Sequence, residues 1–313
     1  MHGLVLVRLV LVGLVFGPAI PAAAGAQTPP GAAAPALADS RAASGDPLTV
    51  MSFNIRYGTA KDGDNHWSAR RNMLFDLLRE QDADLVGLQE ALDFQIEEIV
   101  AAAPAYAVVG VGRDDGAARG EYTAILFRKS RFHVAEAGTF WFSDTPAVPG
   151  SRSWGNTITR ICTWARLVDR DGRGFFVFNV HLDHQSQPSR ERSTLLLRER
   201  VMARSTPEPV VITGDFNVGE DNPALATLTQ PAAAGGTAAA PFVDTFRVVH
   251  PVAEEVGTFT GFTFGRTAGD KIDYVLVEPD AEVMRAEIVR FSRNERYPSD
   301  HFPVVARVRL AGR

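Results

Sequence analysis

A chain of 313 residues, 45% apolar and 22% charged, has the make-up of a soluble globular protein, and this excludes disorder along its whole length. The formal net charge of −5 excludes a global attraction for nucleic acid and leaves only a local basic patch to provide one. Cys162 is the single cysteine, so an intramolecular disulfide and a cysteine-based zinc site are excluded, and any metal must sit among oxygens and imidazoles.

The amino terminus reads as a targeting segment. Arg8 is followed by the apolar run Leu9 to Phe16, a break at Gly17-Pro18, and small residues ending Ala24-Gly25-Ala26 before Gln27. That is the grammar of a cleavable signal peptide over residues 1–26, and it implies a secreted or periplasmic protein. Leu4 to Phe16 is shorter than the roughly 20 apolar residues of a membrane span and contains Arg8, so no stable span is expected. Residues 27–47, rich in Ala and Pro, read as a linker. The folded domain is expected over residues 48–313.

From Leu48 onward short β-type runs alternate with a few helical stretches. Leu48 to Phe53 predicts a strand; Trp67 to Glu80 predicts a helix with Ser68 as its cap. Leu85 to Gln89 predicts a short buried strand, and Phe94 to Ala102 a helix ended by Pro104. Further strands are expected at Tyr106 to Val111, Thr123 to Phe127, Ile158 to Leu167, Phe175 to His181, Val210 to Thr213, Ile272 to Val277 and Val304 to Leu310. A helix is expected from Ser189 to about Met202. Several strands are apolar on both faces, which calls for two central sheets covered by helices. Pro231 to Ala240 reads as a loop insertion. Trp67, Arg70 and Arg71 read as surface packing with two exposed arginines; Trp141, Trp154 and Trp164 read as core or loop anchors.

Strand after strand ends on a carboxylate, amide or imidazole. Asn54, Glu90, then His181, Asp183 and His184, then Asp215 and Asn217 follow apolar runs, while Asp273 begins one and Asp300-His301 precede the last. Each alone has an ordinary structural reading, such as the Asx turn that Asp215 could form in Gly-Asp-Phe-Asn. Together, apolar strands that each finish on an ionisable group would be costly unless those groups paired with one another or with a cation. Oxygen donors without thiolates suit Mg²⁺, with Mn²⁺ or Ca²⁺ also accommodated, and Glu90 beside Asn54 is the leading ligand pair. His301 backed by a carboxylate suits a general base for phosphate-ester hydrolysis.

The motifs Phe53-Asn54-Ile55-Arg56, Leu88-Gln89-Glu90, Asn179-Val180-His181-Leu182-Asp183-His184, Gly214-Asp215-Phe216-Asn217, Lys271-Ile272-Asp273-Tyr274 and Ser299-Asp300-His301-Phe302-Pro303 occur in that order. In this the chain resembles the endonuclease/exonuclease/phosphatase (DNase I-like) superfamily, as a secreted bacterial-type member. The resemblance implies a four-layer α/β sandwich with two central, largely antiparallel β-sheets flanked by helices. It implies metal binding at Asn54, Glu90 and Asp300. It also implies catalysis by Glu121 paired with His181 as leaving-group acid, by Asp215 and Asn217 around the water and phosphate, and by Asp273 orienting His301. Arg160 and His184 match substrate-contacting positions, and Phe259 and Phe262 fall where relatives keep specificity residues. The expected activity is divalent-metal-dependent hydrolysis of a phosphate mono- or diester of a small substrate (sugar, inositol, lipid headgroup or nucleotide) by a monomer. A secreted nuclease acting on nucleic acid is the alternative, and a non-catalytic binding module the third reading.

Overall fold

A computed structural model describes residues 45–231 and 241–312. The signal peptide, most of the linker and all but the first residue of the Ala/Gly insertion lie outside the described residues. Two six-stranded sheets make up the centre. The first uses β1 (Leu48–Asn54), β2 (Leu85–Gln89), β3 (Tyr106–Val109), β4 (Ile125–Arg128), β11 (Glu282–Ile288) and β12 (Val304–Arg309), in the order β11-β12-β1-β2-β4-β3. The second uses β5 (Phe132–Trp141), β6 (Ile161–Asp169), β7 (Gly174–His181), β8 (Val210–Asp215), β9 (Val243–Asp244) and β10 (Asp273–Val277), in the order β5-β6-β7-β8-β10-β9. Each sheet has one parallel pair at its middle, β1 with β2 and β7 with β8, and antiparallel neighbours on both sides.

Period-two alternation along the strands distributes the apolar side chains into three layers. Val50, Leu85 and Ile125 of the first sheet pack with Val177, Val211 and Val275 of the second to fill the space between them. Their neighbours Met51, Phe53, Val86 and Leu88 point the other way, onto Leu74, Leu77 and Leu78 of α1 (Trp67–Gln81) and Ile96 and Ile99 of α2 (Asp93–Ala102). On the far side Phe176, Phe178 and Ile212 meet Leu197 and Val201 of α3 (Gln187–Met202) and Leu225 and Leu228 of α4 (Pro223–Thr229). The expected four-layer sandwich is thus present, helix on sheet on sheet on helix. A short helix α5 (Thr245–Val249) leads out of β9.

Several local expectations change. His66, not Ser68, caps α1: its Nδ1 accepts from the Ser68 backbone N–H at 3.4 Å. Arg70 is not exposed; it is 1% accessible, whereas Arg71 on the next position does face outward, to Glu98 at 3.0 Å. The Arg70 guanidinium donates to the carbonyls of Ile55 (2.7 Å), Arg56 (2.8 Å), Asn65 (2.9 Å) and Pro298 (2.8 Å). It therefore fastens the end of β1 to the loop that carries Asp300 and His301, a task that five fixed N–H donors suit. Trp67, expected as surface packing, is instead buried in the core beneath the first sheet's helices, whereas Trp141 anchors a loop as expected.

Candidate active site

The two parallel pairs end at the same rim of the sandwich. Asn54 stands opposite Gln89 at the end of one, just before Glu90, and His181 stands opposite Asp215 at the end of the other. Asp273, opening the antiparallel strand β10, is the register partner of Asp215 on its other side. Below this rim lies a polar layer between the sheets: Asn179 Oδ1 accepts from Gln89 (2.7 Å) and Thr213 (3.0 Å), while its amide donates to the carbonyls of Leu88 and Ala124. Gly87 makes room for it, since a Cβ there would lie 2.1 Å from Thr213 Oγ1.

Asp215 is the hub. One of its oxygens, Oδ2, accepts from Asn54 Nδ2 at 2.9 Å and lies 3.7 Å from His181 Nε2 and 3.8 Å from His301 Nε2. The other, Oδ1, accepts the Asn217 backbone N–H at 2.9 Å. Asn54 also donates to Glu90 (3.1 Å), and Ser299 donates to the Asn54 carbonyl (2.7 Å) and lies 3.2 Å from an Asp300 oxygen. Asp300 lies 3.7 Å from Arg56. Arg160, itself 3% accessible, donates to His181 Nε2 at 2.9 Å and to His184 Nδ1 at 2.8 Å. All the sequence-derived site residues except Asn54 and Asp273 line one cavity of about 660 Å³; Asn54 bonds to Glu90 and Asp215 of its lining, and Asp273 lies 2.9 Å from His301 Nδ1.

Electrostatics divide these groups. Burial, and then the neighbouring Asp273, push the Asp215 carboxyl up to about 7 against the opposing pull of His301 and Asn54. Burial alone would lower the His301 imidazole, but Asp273, Asp215 and Asp300 together override it and hold it well above its usual range. His181 goes the other way: burial and the adjacent Arg160 keep it neutral, with Nε2 as an acceptor. The expected acid–histidine pair is correspondingly looser than a hydrogen bond, 3.9 Å from Glu121 to His181, because Arg113 grips both Glu121 oxygens at 2.6 and 2.7 Å. Burial raises Glu121 to about 7 despite that grip.

Strain gathers at the same rim. Arg56, Glu90, Asn217 and Phe262 all have positive φ, at 57°, 62°, 52° and 64°. Such backbone persists where surrounding contacts over-determine it, typically around functional sites. Arg113 is the site residue that carries no sequence motif. Its signal is its place eight residues before Glu121 in the glycine-rich hairpin Gly110 to Gly120.

The donor set fits a hard divalent cation. Asp215, Asp273 and His301 offer ligand atoms within 4.8 Å of one another, and Asp273 Oδ1 is buried with no hydrogen-bond partner. Asn54, Glu90 and Asp300 supply further oxygens nearby, and burial followed by Glu90 raises Asp300 against its cationic neighbours. Carboxylates held in this way gain from a cation.

The profile of the Endonuclease/Exonuclease/phosphatase family matches residues 51–301. A structure of an endonuclease/exonuclease/phosphatase family protein from Bacteroides thetaiotaomicron is 31% identical, with 84% of this chain and 97% of that chain covered and a TM-score of 0.74. A mannosyl-6-phosphatase from the same organism is 32% identical over 83% of this chain and 99% of its own, with a TM-score of 0.73. An uncharacterized protein of Acanthamoeba polyphaga mimivirus is 28% identical over 184 residues, 55% of this chain and 68% of the relative.

Proposed function

Since the chain belongs to the endonuclease/exonuclease/phosphatase family and so hydrolyses phosphoester bonds, we propose that it is an exported, Mg²⁺-dependent phosphatase of small phosphorylated substrates. The observation that carries this reading is the placement of Asp215, between two imidazoles and an amide at the wall of a cavity of about 660 Å³. A cavity of this size suits a small molecule. The 32% identical mannosyl-6-phosphatase supports the same class.

In the proposed mechanism Asp215, at about 7, takes the proton of the attacking water. His301, kept protonated and oriented by Asp273, donates to a phosphate oxygen as charge develops. This exchanges the base role that the sequence suggested for His301. Arg160 supplies a fixed guanidinium for the phosphate; once the phosphate draws the Arg160 N–H away, His181 Nε2 takes up a proton from solvent and passes it to the leaving oxygen. Asn54, Glu90 and Asp300 would hold the Mg²⁺, which when bound polarises the phosphoryl group. Asn217 fixes the Asp215 carboxylate through its backbone N–H.

Hydrolysis should be measured for the purified chain with Mg²⁺, Mn²⁺, Ca²⁺ or EDTA, on p-nitrophenyl phosphate, its bis ester, hexose and inositol phosphates, sphingomyelin, RNA and DNA. Metal-dependent phosphate release from the small monoesters with intact nucleic acid is expected. Degraded nucleic acid would put the nuclease reading first. Amino-terminal sequencing of exported protein tests the proposed cleavage, which predicts Gln27 as the first residue.

A further inference from the structure

One part of the pocket wall is built by groups that the mechanism leaves unused: Glu121 and Phe259, which the family resemblance singles out, and Arg113, which no sequence motif marks. Arg113 and Glu121 line the same cavity as His181, Asp215 and His301. Their two-pronged contact leaves donors and acceptors to spare. Nη1 and Nη2 each give one hydrogen to Glu121 and keep one, and each carboxylate oxygen keeps a free lone pair. With both Nη atoms bonded to Glu121, Arg113 is not a free guanidinium for a second anion. Side-by-side donors and acceptors of this kind match neighbouring hydroxyl groups.

The pair is also held rigidly. Trp141 Nε1 donates to the Arg113 carbonyl at 2.6 Å, and the Arg113 and Asp114 amides bond across the hairpin to Glu121 (3.1 Å) and Arg119 (3.0 Å). At Gly112 a Cβ would sit 2.3 Å from the Arg119 carbonyl oxygen, so the hairpin closes only around glycine. Also lining the cavity is Phe259, 40% exposed despite its size, with its ring centroid 5.1 Å from that of His301. An exposed aromatic ring beside a reacting histidine offers an apolar face to whatever the phosphate is attached to.

We propose that Arg113, Glu121 and Phe259 form the leaving-group subsite, and that it takes a polyhydroxylated six-membered ring, as found in hexose and inositol phosphates. This rests on the small-substrate phosphatase reading and deepens it. The ring hydroxyls bond to the Arg113–Glu121 pair while the C–H face of the ring packs on Phe259. Arg113 and Phe259 are specificity residues; the bond broken is that between phosphorus and the polyol's ester oxygen, with water supplying the new oxygen on phosphorus and His181 the proton for the leaving alkoxide.

Two measurements on the full folded chain test this. The first is the ratio of kcat/KM for hexose 6-phosphate, inositol 1-phosphate and AMP over that for glycerol phosphate, in wild type, Arg113→Met and Arg113→Lys. Wild type should favour one of the two ring polyols by ~10-fold or more, and both variants should lose ~10-fold of that preference, mainly through KM, for one bond to a charged group. The hexose and inositol arms show which ring is preferred. Arg113→Lys keeps the charge without the fork and serves if Arg113→Met fails to fold. The second is saturation-transfer NMR of methyl hexopyranoside, myo-inositol and adenosine, which reads ring binding without turnover. A polyol signal that weakens in the Arg113 variants supports the subsite even if no phosphate is released, an outcome that would sink the phosphatase reading alone. A preference for AMP or adenosine, an unchanged ratio, or no polyol signal in wild type would overturn the proposal.

Discussion

Asp215→Asn should make the metal-free protein more stable while removing its activity. The Asp215 carboxyl is lifted from 3.8 to about 7, chiefly by burial. A carboxyl raised on folding favours the protonated state, so its contribution to stability is fully present below the unfolded value and is lost as pH climbs through about 7. A lift of roughly 3 pH units corresponds to about 4 kcal/mol of penalty at pH 8. Asparagine removes that charge but gives up one good acceptor, either for Asn54 Nδ2 or for the Asn217 N–H, which costs about 1 kcal/mol. The net gain, about 3 kcal/mol, corresponds to a Tm rise of roughly 6–12 °C for a domain of this size. At pH 4.5 the ionisation penalty falls to about 1 kcal/mol and the gain vanishes. Thermal unfolding in EDTA at both pH values, for wild type and variant, measures the difference. Equal or lower stability of Asp215→Asn at pH 8, with no change between the two pH values, would refute the reasoning. Added Mg²⁺ should narrow the gap by stabilising the wild-type carboxylate.

The same ionisation governs turnover: kcat should rise between pH 6 and 8 as Asp215 loses its proton, and a rate profile flat through that range would contradict its role as the base. Gly87→Ala should lower stability by about 1–3 kcal/mol in urea unfolding, because its methyl group meets Thr213 and Asn179 in the polar layer. Arg70→Met should lose at least about 3 kcal/mol, since the buried carbonyls of Ile55, Arg56, Asn65 and Pro298 lose their shared donor. Loss of less than about 1 kcal/mol would mean that water replaces the guanidinium there.

The central strands were legible because they are covered on both faces. β1, β2, β7 and β8 are buried almost throughout, and their β-branched and aromatic runs say so. Of the edge strands β3 was legible, but β5, β9 and β11 were not. β5 runs through Ala135, Glu136, Ala137 and Gly138 with only Phe132, Phe140 and Trp141 buried, and β11 carries Glu282, Arg285 and Glu287. An edge strand needs few apolar residues, so composition gives it away poorly. Helices α4 and α5 are too short to display a helical period. The site's residues were readable as polar endings of apolar strands, although Asn54 and Asp215 meet across 161 residues. Arg70 was misread because its partner at Pro298 is 228 residues away and nothing nearby hints at it. The roles of the two histidines depend on which cation or carboxylate lies beside each, and only the fold sets Arg160 against His181 and Asp273 against His301.

The central claim is that water, activated at Asp215, attacks phosphorus. Hydrolysis of a hexose or p-nitrophenyl phosphate in ¹⁸O-labelled water, with Mg²⁺ and again in EDTA, tests it most directly. One labelled oxygen in the released phosphate, formed with Mg²⁺ and absent in Asp215→Asn, is the predicted result. Label in the alcohol, or undiminished release by Asp215→Asn, would contradict the account.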